Sequence, residues 1–287
     1  MCNALFNLQR GRSLRQLFLL LLGTWCLPGI TLAGDLTDVQ AIVRAANLAA
    51  YYQGSDGRSE ARMLIEDAQG RVQQRQFTIL RRDHADGGDQ QFLVVFSRPA
   101  DVRDTVFLVE KHAEGDDDRW LYLPGLDLVK RISAGDKRTS FVGSHFFYED
   151  VSGRNPQEDM HRLAETTAEH YVLDSRPREG ATVEFSRYRV WVDKATLLPM
   201  RIDYENTRGQ VYRRVEVLEV KEIDGYPTVT KSRVTDLISG THTTLEFRFI
   251  NYDLGMDAAV FSEPTDGYTK RLTRQCLAGS GVTGVRC

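Results

Sequence analysis

Residues 199–252, PMRIDYENTRGQVYRRVEVLEVKEIDGYPTVTKSRVTDLISGTHTTLEFRFINY, contain four runs in which apolar and polar side chains alternate. Successive side chains of a β-strand point to opposite faces, so alternation with period two predicts strands rather than helices. The runs are separated by dipeptides typical of tight turns: Arg208-Gly209, Asp224-Gly225 and Ser239-Gly240. This stretch therefore predicts an antiparallel meander.

The same alternation continues through most of the chain before this stretch. We predict twelve strands in total, over residues 61–67, 73–81, 91–97, 105–111, 119–123, 127–132, 169–175, 183–193, 199–205, 210–221, 227–236 and 243–252. They do not alternate with helices as in βαβ units, and the sequence has no repeat of fixed period. The sequence therefore predicts a mainly β (α+β) fold, built on a meandering antiparallel sheet that is curved or barrel-like.

Two segments depart from the strand pattern. Residues 35–53 predict one amphipathic helix, with Asp35 as candidate N-cap and an apolar face formed by Leu36, Val39, Val43, Ala46 and Ala50. Residues 139–165, TSFVGSHFFYEDVSGRNPQEDMHRLAE, contain an aromatic cluster, then turn residues, then a short helical stretch from about Pro156. Long connections of this kind are usually functional, so we expect a lid over the sheet.

The first 33 residues have the features of a secretory signal peptide. Three arginines precede the apolar run Leu17–Leu22, and Thr31-Leu32-Ala33 is an acceptable cleavage site. The run is shorter than the roughly 20 residues that span a bilayer, which disfavours the alternative of a membrane anchor. Trp25 before Cys26 is too large for a lipoprotein signal. We therefore expect cleavage before Gly34 and export from the cytosol.

Composition and cysteine positions limit the remaining possibilities. The chain is 41% apolar and 9% aromatic, enough to form a core, and its net charge of −3 argues against a general nucleic-acid binder. After cleavage only Cys276 and Cys287 remain, and we expect them to form a disulfide in an oxidising compartment. The alternative is two free thiols. We predict a domain over residues 34–270 and a tail over residues 271–287.

The sequence contains no recognisable catalytic or cofactor motif. Ser280 lies between glycines, but the spacing differs from that of a nucleophile elbow. The residues of metal-binding or catalytic type that lie closest together in the sequence are His145, Glu149 and Asp150. They allow either a metal site or a polar edge beside the aromatic cluster. We expect the polar edge, and we predict no metal, no cofactor and no enzymatic activity.

Large apolar residues are abundant on the strands and in the insertion. Residues 91–97 are apolar on both faces, and Trp120 alternates with Leu121 and Leu123. Such a surplus fits either an ordinary core or a ligand cavity enclosed by a curved sheet. The candidates for the lining of such a cavity or for contacts in the lid are Phe92, Val94, Trp120, Tyr122, Phe141, Phe146, Tyr148 and Trp191.

Three stretches carry a resemblance to a known family. They are DRWLYLPGLDLVKRISAGDKRTSFVGSHFFYEDVSG (118–153), FSRPADVRDTVFLVE (96–110) and VWVDKATLLPMRIDYENTRGQ (190–210). With them, the chain resembles the outer-membrane lipoprotein-sorting protein family over nearly all of residues 35–262. This is the branch of the LolA/LolB-like superfamily typified by a treponemal lipoprotein and often encoded beside RND-type (MMPL) exporters. One departure is Asp104, where the family typically carries Gly.

The resemblance implies a half-open antiparallel β-barrel over a hydrophobic cavity, with an N-terminal helix and a helical lid or plug. It implies a non-enzymatic periplasmic carrier that binds lipid, or the acyl chains of lipoproteins, and works with an inner-membrane RND exporter. In such a barrel, Trp120 and Tyr122 are expected to face the cavity or the seam under the lid. The alternatives are an accessory factor of that exporter that binds a protein partner and, more remotely, a hydrolase using His145, Glu149 and Asp150.

Overall fold

Thirteen antiparallel strands form one sheet in the computed structural model, which describes residues 35–262. The strands are β1 (Asp56–Glu66), β2 (Val72–Asp83), β3 (Gln90–Arg98), β4 (Val106–Lys111), β5 (Asp118–Leu123), β6 (Leu128–Arg131), β7 (Asp159–Thr166), β8 (His170–Pro177), β9 (Arg187–Asp193), β10 (Pro199–Glu205), β11 (Val211–Ile223), β12 (Tyr226–Asp236) and β13 (His242–Tyr252). All twelve predicted strands are confirmed, with shifts at their ends. The predicted cleavage site and the Cys276–Cys287 pair lie outside the described residues.

The strand order is that of a meander in which the first and last strands, β1 and β13, are also paired with each other. The two free edges of the sheet are instead β6 and β7. The sheet runs from β6 back to β1, then β1 pairs with β13, and the order continues back from β13 to β7. Every pair of neighbours except β1 and β13 is therefore consecutive in the chain. The sheet is unclosed between β6 and β7, and most of β7 lies within the predicted insertion of residues 139–165.

The sheet is strongly curved. β3 and β8 are eight strand positions apart, a distance of about 38 Å in a flat sheet. Even so, Val94 of β3 and Leu173 of β8 line the same internal cavity. The predicted half-open barrel is therefore confirmed, and its concave face is the inner surface of the molecule.

Strand β3 is apolar on both faces because both faces are covered. Phe92, Val94 and Phe96 belong to the inner apolar cluster. Leu93 belongs to an outer cluster, which is closed by the segment after β13, where a 3₁₀ helix (Ala258–Phe261) buries Phe261. The carboxylate of Asp56 holds this segment by accepting hydrogen bonds from the Leu254 and Met256 backbone N–H groups, both at 2.6 Å.

Helix α1 (Val39–Tyr51) lies on the concave face, where Ile42, Val43 and Ala46 pack in one apolar cluster with residues of β8 to β10. The helix begins later than predicted. Its N-cap is Asp38 rather than Asp35, because the Asp38 carboxylate accepts a hydrogen bond from the Gln40 N–H at 3.0 Å.

The lid, residues 132–158, connects β6 to β7 and folds into the concave face. It contains two 3₁₀ helices, Ala134–Asp136 and Pro156–Glu158, and the short helix α2 (Tyr148–Ser152). The predicted helical stretch from Pro156 is wrong beyond Glu158, because the chain continues as β7. This edge strand buries little more than Asp159, so its alternation of apolar and polar residues is weak.

Candidate functional site

The main cavity lies between the concave face of the sheet, α1 and the lid, and has a volume of about 340 Å³. Val43 and Ala46 of α1 form one wall, while Phe141 and Phe146 of the lid form another. The sheet contributes apolar side chains from both halves of the half-barrel: Met63, Phe77, Val94, Val190, Val192, Ile202, Val215 and Leu245. The site is therefore predominantly apolar.

A second cavity of about 240 Å³ adjoins the first below the C-terminal end of α1. Tyr51, Val151, Val229 and Phe247 line both cavities. The two spaces therefore share a wall, and Tyr51 is its largest member. The second cavity extends toward the ends of β12 and β13, where Ile250 and Tyr252 lie.

The lid is anchored in the sheet by an aromatic cluster around Phe141. Its ring centroid lies 5.4 Å from that of Phe107 and 5.7 Å from that of Phe96. Tyr148 of α2 packs at 5.5 Å from Phe141, nearly perpendicular to it. Aromatic pairs at these separations add to the free energy gained by burial, so the lid is part of the core in this structure.

A buried ionic cluster holds the other side of the lid. The Glu149 carboxylate, 2% exposed, accepts hydrogen bonds from Arg138 at 2.6 Å and from Arg154 at 3.0 Å, and Lys137 lies at 3.4 Å. Burial alone raises the pKa of Glu149, but the charges of Arg138, Arg154 and Lys137 outweigh it and lower the pKa to about 2. Glu149 is therefore ionised and serves as the centre of the cluster.

The same cations extend the cluster to the far half of the sheet. Arg154 bonds both carboxylate oxygens of Asp159 at 2.7 and 2.9 Å. Arg138 bonds Glu184 at 2.7 Å, and its guanidinium also lies 4.7 Å from the ring centre of Phe185. The lid thus bridges β7 and the segment before β9 through bidentate ion pairs. The pair with Asp159 is buried, whereas Glu184 is 40% exposed at its side chain.

The C-terminal end of α2 is fixed by contacts with α1 and β4. Lys111, itself buried, donates to the backbone carbonyls of Ser152 and Gly153 at 2.7 and 2.9 Å. The Tyr51 ring packs directly against Gly153. Arg81 and Gln90 both donate to the Tyr51 carbonyl, so the residue that separates the cavities is held at its backbone.

The structure brings some of the predicted lipid-binding residues together and not others. Val94, Phe141 and Phe146 line the main cavity, and Phe92 lines the second. Tyr148 belongs to the inner cluster but lies behind Phe141 and does not line either cavity.

Trp120, Tyr122 and Trp191 lie on the opposite face of the sheet. Trp120 and Tyr122 belong to the outer cluster with Phe261, whereas Leu121 between them faces inward. Trp191 packs under the Arg201 guanidinium, 4.5 Å from the ring centre, outside the half-barrel. The alternation of side chains along a strand identified which residues share a face, but it does not indicate which face of the sheet is concave.

We predict that Trp120→Ala lowers the free energy of unfolding by about 1–3 kcal/mol, less than a fully buried tryptophan. The variant should bind a fluorescent fatty acid with a Kd within about twofold of wild type, because the ring lies outside the cavities. Denaturant unfolding and probe titration measure both quantities. Weaker probe binding with unchanged stability would contradict this placement.

His145, Glu149 and Asp150 do not form a common site. The His145 ring bonds the hydroxyls of Thr243 and Thr241, both at 2.7 Å. Glu149 belongs to the ionic cluster, and Asp150 pairs with Arg213. Within residues 35–262, no group of three or more His, Cys, Asp or Glu is arranged to hold a metal ion.

Sequence reasoning missed the walls contributed by α1 and by β9 to β11. Val43, Tyr51, Val190, Ile202 and Val215 all line the main cavity. The signal was present, since Val43 lies on the apolar face of the predicted helix and Tyr188, Val190 and Val192 alternate with Arg187 and Arg189. The alternation pattern does not indicate which of the inward-facing positions line a cavity and which lie in a packed core.

No helix between residues 35 and 262 is long and apolar enough to cross a membrane. Comparison with functionally curated protein sequences finds no match. A family model described as "Uncharacterized protein" matches residues 88–265, more than half of the chain.

Solved structures give closer relatives. A DUF1329 family protein from Desulfovibrio piger is 34% identical, with a TM-score of 0.71, and the match covers 78% of this chain and 97% of that one. A putative outer membrane lipoprotein-sorting protein domain from Vibrio parahaemolyticus is 27% identical, with a TM-score of 0.69, over 78% of this chain and 96% of that one.

A third structure supports the fold alone. A LolA superfamily protein from Nitrosomonas europaea is 16% identical, with a TM-score of 0.62, and the match covers 79% of this chain and 99% of that one. The resemblance to the lipoprotein-sorting, LolA/LolB-like proteins inferred from residues 96–110, 118–153 and 190–210 is thus confirmed. The chain belongs to the DUF1329 family and has the fold of the LolA superfamily.

Proposed function

We propose that this protein is a non-enzymatic periplasmic carrier that binds lipid, or the acyl chains of lipoproteins, in the main cavity and transfers them across the envelope. The observation that carries the proposal is the cavity of about 340 Å³ between the concave sheet, α1 and the lid. Its volume lies in the range of small-ligand sites, and its walls are mostly apolar.

The energetics of an apolar chain favour such a site. Each methylene group exposed to water costs about 0.8 kcal/mol relative to an apolar environment. Several polar residues of the lining are engaged within the protein: Glu149 and Arg154 in the ionic cluster, and His161 with the Ser175 hydroxyl at 2.8 Å. They therefore offer few free groups for recognising a polar ligand, whereas the apolar walls suit an acyl chain.

The location and the partner belong to the same proposal. The pattern of residues 1–33 supports export to the periplasm, and the similarity to a lipoprotein-sorting domain supports a role in envelope transport. We further propose that an inner-membrane RND-type exporter supplies or receives the cargo. The Cys276–Cys287 disulfide is expected in the exported protein.

The proposal predicts that the purified protein carries lipid and binds a fluorescent fatty acid, and that Ile202→Trp weakens this binding. Ile202 lines the main cavity, so a larger side chain there occupies space that the ligand needs. We expect the Kd to rise at least about tenfold. Mass spectrometry of copurified lipids and probe titration are the measurements.

Ile238→Trp is the matched control, because Ile238 is 60% exposed in the turn between β12 and β13. It should leave the Kd unchanged. A wild-type protein that binds no probe and copurifies with no lipid would contradict the carrier and favour the alternative, an exporter accessory factor whose cavity serves a protein partner.

A further inference from the structure

The ladder of hydrogen bonds between β12 and β13 ends well before the strands do. These strands are paired from Thr235 and His242 down to Lys231 and Glu246. Beyond this point each strand remains paired only on its other side: β12 with β11 as far as Tyr226, and β13 with β1 as far as Tyr252. The sheet therefore has an opening between residues 226–230 and residues 247–252.

Bulges on both strands explain why they separate. In the pairing of β1 with β13, Phe249 and Ile250 together oppose Ser59, and Phe249 adopts a left-handed φ of +50° with its ring 70% exposed. In the pairing of β11 with β12, the register skips Thr230. A bulge bends its strand and increases the local twist, so two bulges beside the same gap turn the strand ends apart.

The second cavity lies directly behind this opening. Its lining includes Thr228 and Val229 from the unpaired end of β12, and Phe247, Ile250 and Tyr252 from that of β13. Val229 and Phe247 also line the main cavity. The opening, the second cavity and the main cavity are therefore contiguous.

Side chains, not backbone, close the lower end of the opening. Gln53, just after α1, donates through Nε2 to the Pro227 carbonyl at 2.5 Å and accepts through Oε1 from the Tyr252 hydroxyl at 3.1 Å. The Thr228 hydroxyl contacts the Tyr252 hydroxyl at 3.0 Å and Gln53 Oε1 at 3.4 Å. Such a bridge separates with the loss of a few side-chain hydrogen bonds, whereas a strand ladder separates only with the loss of successive backbone hydrogen bonds.

We propose that the opening between β12 and β13 is a lateral portal through which the apolar chain of the ligand reaches and leaves the main cavity, with the Gln53–Thr228–Tyr252 bridge as its gate. The inference rests on the proposed function, since it requires an apolar ligand in the main cavity. The chain passes between Val229, Phe247 and Ile250, which keep it out of water along the way.

A gate that does not contact the bound ligand changes association and dissociation rates in the same proportion and leaves the Kd unchanged. We therefore expect Gln53→Ala and the milder Thr228→Val to accelerate both rates of a fluorescent fatty acid, by about threefold or more. Ile250→Trp narrows the passage and should slow both rates by about tenfold. Stopped-flow mixing and displacement measure the two rates, and denaturant unfolding shows that each variant is folded.

The control is again Ile238→Trp, at the opposite, paired end of the same two strands. Rates that are unchanged in all three portal variants, with normal probe binding, would overturn the portal and leave the carrier proposal intact. A raised Kd with an unchanged association rate in Ile250→Trp would place the second cavity in the bound site and also overturn it. A wild-type protein that binds no probe would overturn both proposals.

Discussion

Glu149→Gln is expected to lower the free energy of unfolding by about 3–5 kcal/mol, because it removes the central charge from three buried cations. Arg138, Arg154 and Lys137 are each less than a tenth exposed at their side chains, so water cannot replace the lost carboxylate. An amide keeps the shape and one acceptor oxygen but no negative charge. Denaturant unfolding at pH 7 measures the difference.

The same variant should reveal the pH range in which Glu149 stabilises the fold. The three cations depress the pKa of its carboxyl in the folded protein from 4.5 to about 2 despite burial, which acts in the opposite direction. The contribution is therefore complete above the unfolded value near 4.5 and is lost as the pH falls toward about 2. We expect the stability difference between wild type and Glu149→Gln to be constant above about pH 5 and to shrink below it.

Glu60→Gln is the control for this experiment. Glu60 also pairs with an arginine, Arg58 at 3.0 Å, but its side chain is 47% exposed. Solvent screening limits such a pair to about 1 kcal/mol or less. If Glu60→Gln and Glu149→Gln lower the free energy of unfolding equally, burial of the ionic cluster does not determine how much Glu149 stabilises the fold.

The architecture could be predicted from the sequence because its signal is local. Alternation along β9 to β13 and glycine-containing turns specify hairpins one at a time, and a chain of hairpins specifies most of the strand order. Asp104 extends this logic: the resemblance implies Gly at this position, and the φ of Asp104 is +64°, a left-handed conformation that Asp tolerates. The turn is therefore kept without the glycine.

The candidate site was less predictable because it depends on curvature and on distant partners. Trp120 and Leu121 are both large and apolar, and only the direction in which the sheet bends decides which of them faces the cavity. The ionic cluster joins Lys137 to Glu184 across 47 positions of sequence, and no local pattern brings such residues together. The lid was expected from its length and aromatic content, but its ion pairs were not.

Gly153→Ala is expected to displace the lid, with a loss of about 2–5 kcal/mol in the free energy of unfolding. Gly153 has φ +77° and ψ 150°, a conformation that only glycine adopts readily. A Cβ there would lie 2.6 Å from Cε2 of Tyr51, which is too close for any contact. Because Arg81 and Gln90 hold the Tyr51 carbonyl, the clash can be relieved only if the Tyr51 ring rotates toward the cavities or the lid moves.

Gly180→Ala separates the two contributions to this loss of stability, which are the unfavourable backbone conformation and the clash with the Tyr51 ring. Gly180 also has a positive φ, +87°, but a Cβ there would meet nothing within 4 Å. It should therefore show the backbone cost alone, about 1–2 kcal/mol, with unchanged probe binding. Because Tyr51 and Gly153 both line the main cavity, Gly153→Ala should in addition alter the Kd of a fluorescent fatty acid. Equal stability losses and an unchanged Kd in both variants would show that the contact between α1 and the lid does not shape the cavity.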